Sequence, residues 1–259
     1  MKRRHLLAGA ACAALPGPAL AQGGFPQRPV TLLVPSAPGG TLDALARFYA
    51  QAMGPILGRG MVVENVSGGG GLIGMQRAMR AEPDGHTLVF GNAGVMAAFI
   101  ATNPNAGYDP RRDIAPVGIA AHVPMVIAAS PHSGVRDLAS LVARFRERGE
   151  RATFGTAGLG TTSHLAPALL MHQLGLRGTL VSYRGAGPAM NDLAAGVVDA
   201  VIDQTVTMIP AHRGGTVVAL AVSGAQRVPQ IPDVPTFTEA GVPQFDLVIW
   251  NAIAGPRGL

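Results

Sequence analysis

The chain contains almost no cysteine or lysine and no long apolar run that could span a membrane. Its 259 residues include a single cysteine, Cys12, and a single lysine, Lys2. One cysteine excludes internal disulfides and cysteine-based metal sites. Hydrophobic residues make up 48% of the chain, yet no interior run reaches the roughly 18 to 20 apolar residues that cross a bilayer. The composition therefore predicts an ordered, globular protein.

The first 21 residues have the features of an export signal. Residues 2–5 are basic, residues 6–15 are apolar, and Ala19-Leu20-Ala21 is a small-residue cleavage site. The adjacent Arg3-Arg4 leaves both Sec and twin-arginine export open. Cys12 lies in this segment, and Gly9 stands where a lipoprotein signal would have leucine, so we predict no lipid anchor.

The basic character of the chain depends on this leader. Removing it takes three of the 20 basic residues and none of the 15 acidic ones, which lowers the formal net charge from +5 to +2. A nearly neutral protein lacks the basic surface that nucleic acid requires. We therefore predict no nucleic-acid partner.

Short runs rich in valine, isoleucine and leucine alternate with helix-length segments of 3.6-residue periodicity. This alternation is typical of an α/β fold with mainly parallel strands. Helical stripes follow the first predicted strand and Thr161. The predicted strands are 30–34, 61–64, 87–90, 117–120, 125–128, 152–154, 180–182, 200–202, 217–222 and 247–250.

Glycine-rich turns connect several strands to the helices that follow them, as in PSAPGGTLD, GNAGVM and GTAGLGTTSH. In open α/β sheets such turns gather at the carboxyl ends of the strands, where helix N-termini offer unpaired N–H groups to an anion. Each turn taken alone is also explained as a tight turn. Three of them in one architecture favour an anion-binding site.

A nucleotide cofactor is the alternative suggested by Gly69–Gly74, which matches GxGxxG after a strand and before a helix. A dinucleotide site also needs an acid at the end of the next strand, and that strand, HTLVFGN, ends in Gly91-Asn92. We predict no cofactor. No GxSxG elbow, HxxxH pair or other catalytic or metal-binding constellation occurs, so we predict no metal and no enzyme activity.

Ordered motifs from Phe25 to the last residue resemble the Bug family, the periplasmic solute receptors of tripartite tricarboxylate transporters. These motifs are RPVTLLVPSAPGGTLDALAR, VVENVSGGGGLIG, PDGHTLVFGN, YDPRRDIAPVGIA, FGTAGLGTTSHLA, SYRGAGPAMNDLAAGVVDAVID, VPTFTEAG and VIWNAIAGP. Many motifs in the same order are far more specific than any single one.

The resemblance implies a two-lobed, type II periplasmic-binding-protein (Venus flytrap) fold, in which each lobe is a mainly parallel sheet flanked by helices. It implies an exported, periplasmic and monomeric receptor that passes a small carboxylate to a membrane permease. The ligand classes left open are di- or tricarboxylates, acidic amino acids and aromatic acids. We predict that residues 22–121 with 224–259 form lobe 1 and that residues 122–223 form lobe 2.

The resemblance also implies that two loops grip the carboxylate through main-chain amides and ordered water. The predicted ligand-binding residues are Ser36, Ala37, Pro38, Gly39, Gly40, Thr41, Asp43, Asn92, Thr156, Ala157, Gly158, Thr161, Thr162, Ser163, His164, Tyr183 and Asp203.

The roles of several of these residues stay open at this point. Asp43 is explained equally by ligand contact and by interaction with its own helix dipole and turn. Asp203 fits a bond to a ligand amino or hydroxyl group or a cap on the next helix. Tyr183 and Arg184 are candidates for the wall or hinge, and Trp250 is predicted to pack in the core.

Family members normally continue beyond the GP that follows the tryptophan, whereas this sequence stops at Leu259. We therefore expect a truncated C-terminal part and exposed apolar surface on lobe 1. A non-binding, shortened relative is a further alternative.

Overall fold

The computed structural model describes residues 24–259, so the predicted export signal lies outside the described residues. No helix among the described residues is long and apolar enough to cross a membrane. The strands, numbered in chain order, are β1 Val30–Val34, β2 Met61–Asn65, β3 Thr87–Asn92, β4 Ile114–Ala129, β5 Thr153–Thr156, β6 Thr179–Ser182, β7 Ala200–Gln204, β8 Val218–Val222 and β9 Val248–Pro256.

The α-helices cover the faces of the sheet and connect its parallel strands. They are α1 Thr41–Leu57, α2 Leu72–Met79, α3 Phe99–Thr102, α4 Pro110–Asp113, α5 Leu138–Arg148, α6 Thr162–Leu174, α7 Ala186–Ala194 and α8 Thr205–Arg213. Shorter helical turns are Gly69–Gly71, Gly94–Ala98, Pro131–Ser133 and Gly149–Arg151.

Strand β4 belongs to both halves of the molecule. Its first part pairs with β9, from Ile114 to Pro124, and its last part, from Met125, pairs with β7 and β8. The strand order is β2-β1-β3-β9-β4-β7-β5-β6, with β8 on β4. We call β1, β2, β3, β9 and residues 114–124 the first lobe, and residues 125–129 with β5 to β8 the second lobe.

The predicted two-lobed α/β fold is confirmed, with one refinement of the strand directions. The outer three strands of each lobe are parallel, whereas β4 and β9 pair in antiparallel fashion. The strands predicted separately at 117–120 and 125–128 are parts of the single strand β4. The proline and glycine residues in this segment suggest a break, but they are accommodated where β4 bulges and changes partner.

Alternating side chains of the central strands pack against helices on both faces of each sheet, whereas residues 116–119 of β4 are exposed. In β4, Met125 and Ile127 face α5 and α6, whereas Val126 and Ala128 face α7 and α8. In the first lobe, β1 places Leu33 toward α2, while its neighbours on either side face α1. The period of two determines which face of the sheet each strand residue covers.

Residues 231–245 pack in the second lobe, although the sequence prediction assigns 224–259 to the first. Phe237 and Phe245 join the core formed by α5 and α6, and Ile231 and Val234 join the core on the opposite face. The connection to β9 therefore leaves the second lobe only near Leu247. The other predicted lobe boundaries stay a prediction.

Candidate functional site

A cavity of about 40 Å³ lies between the two lobes at the carboxyl ends of β1, β3, β5 and β7. A space of this size holds roughly one to three water molecules. The residues that line it are Pro35, Ser36, Gly40, Thr41, Leu42, Asn92, Val95, Ala157, Thr161, Thr162, Ser163, Ala186, Asp203 and Gln204.

Residues at the N-termini of α1, α6, α7 and α8 line this cavity, no side chain caps any of them, and α1 and α6 contribute the most lining residues. Helix α1 begins after Gly40, which has no side chain, and α6 begins after Thr161. The Thr161 hydroxyl donates to the Gly158 carbonyl oxygen at 2.7 Å instead of capping α6. The first N–H groups of a helix have no intrahelical acceptor, and the helix dipole gives them partial positive charge. The two helices therefore present uncapped donors to the cavity.

Four amides of the predicted anion-binding loops already have protein partners, and one of them is the Thr161 N–H, which donates to the Gly158 carbonyl oxygen at 3.2 Å. Ala37 N–H donates to the Arg184 carbonyl oxygen across the lobes at 3.2 Å. Gly39 N–H donates to Asp43 at 3.0 Å, and Ala157 N–H donates to the Ser163 hydroxyl at 3.3 Å. The donors left for an anion are therefore those of the helix ends, not those of the whole loops.

Asp203 connects the lobes from the floor of the cavity. Its carboxylate accepts from the Thr41 hydroxyl at 3.1 Å and from the Thr207 hydroxyl at 2.6 Å, and the residue is only 4% exposed. None of the ion pairs among the described residues includes it. Burial raises the pKa of Asp203, although the hydrogen bonds from Thr207 and Thr41 oppose that shift. This residue both lines the cavity and holds α1 against β7.

Asn92 and Gln204 provide the amide groups of the cavity wall. The Asn92 Oδ1 accepts from the N–H groups of Gly94 and Val95 at 3.0 and 3.4 Å, and its Nδ2 reaches the Thr162 hydroxyl of the other lobe at 3.5 Å. Gln204 accepts from Asn251 at 2.7 Å. Both amides therefore connect elements of different lobes.

Asp43 is buried but lies outside the cavity lining, where it stabilises the turn before α1. Its carboxylate accepts from Gly39 N–H and pairs with Arg47 at 3.0 Å. Burial raises the pKa of Asp43, but the hydrogen bonds from Arg47 and the Gly39 N–H outweigh this and leave it lowered. These contacts agree with the helix and turn role that the sequence left open.

Other predicted residues also lie outside the cavity lining. The Tyr183 hydroxyl donates to Asp192. Burial is the larger cause and this hydrogen bond the smaller cause that together raise the pKa of Tyr183 to about 12. Burial lowers the pKa of His164. The Thr156 hydroxyl donates to the Val181 carbonyl oxygen at 3.2 Å. Pro38 and Gly39 face a separate groove between α1, α7 and α8, while Ala37 and Gly158 contact the opposite lobe through their backbones.

Nine of the predicted ligand-binding residues line the cavity in the structure. They are Ser36, Gly40, Thr41, Asn92, Ala157, Thr161, Thr162, Ser163 and Asp203. The sequence prediction missed five other lining residues, which are Pro35, Leu42, Val95, Ala186 and Gln204. Gln204 carries the clearest missed signal, since it follows Asp203 at the end of the same strand. Leu42 and Val95 were not recognisable, because apolar residues in a first helical turn fit a core stripe equally well.

The GxGxxG turn contacts the second lobe. Gly70 has a φ of +67°, and a Cβ built on it would lie 2.2 Å from the Leu159 carbonyl oxygen. The turn is therefore packed directly against the backbone of the second lobe at Leu159. A backbone approach this close requires glycine.

Comparisons with known proteins agree on one family. Residues 45–259 match the model of the "Tripartite tricarboxylate transporter family receptor". A protein from the TAR-I ttuE-ttuC' intergenic region of Agrobacterium vitis is 41% identical over 243 residues, which cover 94% of this chain and 70% of that protein.

Two solved structures from Rhodopseudomonas palustris are similar in fold and sequence. MatC, with bound malate, is 36% identical with a TM-score of 0.86, and the match covers 90% of this chain and 80% of MatC. Rpa4515, with adipate, is 35% identical with a TM-score of 0.87, and the match covers 90% of this chain and 78% of Rpa4515.

We predict that Gly70→Ala opens the lobes, because the added methyl group cannot fit against Leu159. Small-angle X-ray scattering should give a larger radius of gyration than for the unsubstituted protein. Gly58→Ala is the matched control, since Gly58 has a φ of +72° but nothing within 4 Å of an added Cβ. Equal radii for the two variants would contradict the contact.

We predict that Asp203→Asn stabilises the protein increasingly as the pH rises. The folded state binds the Asp203 proton more tightly than the unfolded state, whose pKa is near the ordinary 3.8. The stabilisation from this proton is therefore complete below about pH 4 and is lost as the pH rises through the raised pKa. Urea unfolding at pH 4, 5.5 and 7 should show a growing advantage for the variant.

Asp137→Asn is a control with the opposite sign. Hydrogen bonds from the Ser140 N–H and hydroxyl lower the pKa of exposed Asp137, so its contribution is present at neutral pH and is lost in acid. A constant difference between Asp203→Asn and the unsubstituted protein across the pH range would refute the assignment of a raised pKa to Asp203.

Proposed function

From the premise that the chain belongs to the tripartite tricarboxylate transporter receptor family, and is thus a solute-binding receptor, we propose that it captures a small carboxylate between its lobes. The observation that carries this proposal is the meeting of the uncapped N-termini of α1 and α6 at the interlobe cavity. Helix N-termini bind anions through oriented N–H groups and the helix dipole.

Neutral donors suit a buried carboxylate in this cavity. None of the described residues that line it is arginine, lysine or histidine. N–H dipoles supply positive potential without the burial of a strongly hydrated cation. A bridging water can add contacts that adapt to different acids.

We favour a dicarboxylate as the first ligand class to examine. Two structural relatives with more than a third sequence identity were solved with malate and with adipate. Tricarboxylates, acidic amino acids and aromatic acids are the other members of the proposed range. The residues proposed to contact ligand are those of the predicted set that line the cavity, together with Gln204.

The lobes are proposed to separate and close during binding. A cavity of about 40 Å³ has room for a few waters, so we propose that the lobes separate to admit a carboxylate. The bonds of Asp203 to Thr41 and of Ala37 to Arg184 join the lobes in the closed arrangement. Ligand binding would shift the balance between open and closed states.

In the cell we propose a periplasmic, monomeric receptor that presents its carboxylate to the permease of a tripartite transporter. Closure provides a surface composed of both lobes, which a permease can distinguish from the open form. The receptor binds its ligand and catalyses no reaction on it.

The test is thermal unfolding of the purified protein against malate, succinate, adipate, citrate, aspartate, glutamate, benzoate and NAD. A ligand at 100 times its dissociation constant should add about 2.7 kcal/mol to the free energy of unfolding. We expect a raised midpoint with one class of carboxylate. A shift with NAD alone would favour a nucleotide-binding enzyme, and a cooperative transition without any shift would favour a non-binding relative.

A proline substitution tests the helix N-terminus itself. Thr41 is the first residue of α1, and Gly40 before it has an extended backbone, which proline tolerates. Thr41→Pro removes both the N–H and the hydroxyl, whereas the control Thr41→Ala removes only the hydroxyl. By calorimetric titration with the carboxylate that binds, Thr41→Pro should be about tenfold or more weaker than Thr41→Ala. Equal affinities would mean that this N–H does not contact ligand.

A further inference from the structure

Gln204 and Asn251 form a buried amide pair beside the interlobe cavity. Gln204 ends β7 in the second lobe and lines the cavity, while Asn251 lies on β9 in the first lobe. The two residues are 1% and 0% exposed, and the Asn251 Nδ2 donates to the Gln204 Oε1 at 2.7 Å. A hydrogen bond between two buried amides fixes both side chains more closely than apolar contact would.

The main chain determines which way each amide faces. The Asn251 Nδ2 also lies 3.3 Å from the Ile249 carbonyl oxygen. An oxygen in that position would repel the carbonyl, so the nitrogen of Asn251 must occupy it. The Gln204 Oε1 is therefore the atom held by Asn251, and the Nε2 is the free end of the Gln204 amide.

The arrangement has an energetic disadvantage that a merely structural role would avoid. The Asn251 Oδ1 is buried and has no hydrogen-bond partner among the described residues. An apolar side chain of similar size would fill the same space without an unsatisfied acceptor. An amide at this position is explained by what it does to Gln204.

We propose that Gln204 is a ligand-binding residue whose Nε2 donates to the carboxylate in the cavity, and that Asn251 is a positioning residue that holds this amide with its nitrogen toward the ligand. This inference rests on the proposed function and adds a side-chain donor to the main-chain donors of α1 and α6. Successive residues of β7 then have opposite roles, since Asp203 accepts hydrogen bonds and Gln204 donates one. The pair therefore favours a ligand that places a hydrogen-bond acceptor, and not a cationic group, beside the Gln204 Nε2.

The experiment is calorimetric titration of malate and adipate into the purified protein and its variants. Gln204→Met removes the donor at similar volume and should weaken binding about 10- to 100-fold. Asn251→Leu should weaken binding in the unsubstituted background and have no further effect in the Gln204→Met background, because it acts only through Gln204. Gln76→Met is the control, since the Gln76 amide donates to the Ala106 carbonyl oxygen at 2.8 Å outside the cavity.

Gln204→Glu provides a second test with a side chain of the same shape. It keeps the proposal testable if Gln204→Met does not fold. It keeps an acceptor for Asn251 but replaces the donor with a carboxylate oxygen. Binding at pH 8 should be lost, and it should recover between pH 8 and pH 5 as the new carboxyl gains a proton that it can donate. Stability changes alone would not produce that profile.

The failure of this inference differs from the failure of the proposed function. If the unsubstituted protein binds neither acid nor any other carboxylate of the thermal panel, both are overturned. If it binds, but Gln204→Met and Gln204→Glu bind equally well, only the role of Gln204 is overturned. Additive losses from Gln204→Met and Asn251→Leu would overturn the positioning role of Asn251.

Discussion

Strand β4 makes main-chain hydrogen bonds in both lobes, and the geometry of the cavity depends on that continuity. Residues up to Pro124 pair with β9, and residues from Met125 pair with β7 and β8. Because one strand runs through both sheets, the carboxyl ends of β3 and β7 are held close to the same point. The loops and helix ends that follow these strands therefore face one another across a small space. Relative movement of the lobes must bend β4 or the connections near it, while each sheet stays intact.

The cavity combines groups that attract an anion with one that opposes it. The ends of α1 and α6 provide partial positive charge, whereas ionised Asp203 would repel a carboxylate. Burial raises the pKa of Asp203 and so favours its neutral form. Thr41 contributes to both sides of this balance, because its backbone belongs to the uncapped helix end and its hydroxyl donates to Asp203. Thr41 therefore places the uncapped end of α1 and a hydrogen bond between the lobes in a single residue.

Local patterns in the sequence predict most of this architecture and part of the site. Apolar periodicity locates the strands, and glycine-rich turns after them identify the loops that reach the cavity, because the carboxyl ends of strands gather at one edge. The continuity of β4 was not predictable, since Pro116, Gly118 and Pro124 imitate breaks in a strand. The pairing of Gln204 with Asn251 joins residues 47 positions apart, and no local pattern encodes it. The sequence also does not reveal that the N–H groups of Gly39 and Ala157 donate hydrogen bonds to nearby side chains.

The pairing of β9 also sets an order on the folding of a newly made chain. The second lobe is built from the continuous stretch between Met125 and Phe245, so its cores can form as soon as that stretch is available. The first lobe is interrupted, because β9 inserts between β3 and β4, which precede it by more than a hundred residues. Such long-range pairing is slow to form. During synthesis the first sheet therefore has an unfilled position between β3 and β4 until residues 248–256 have been made.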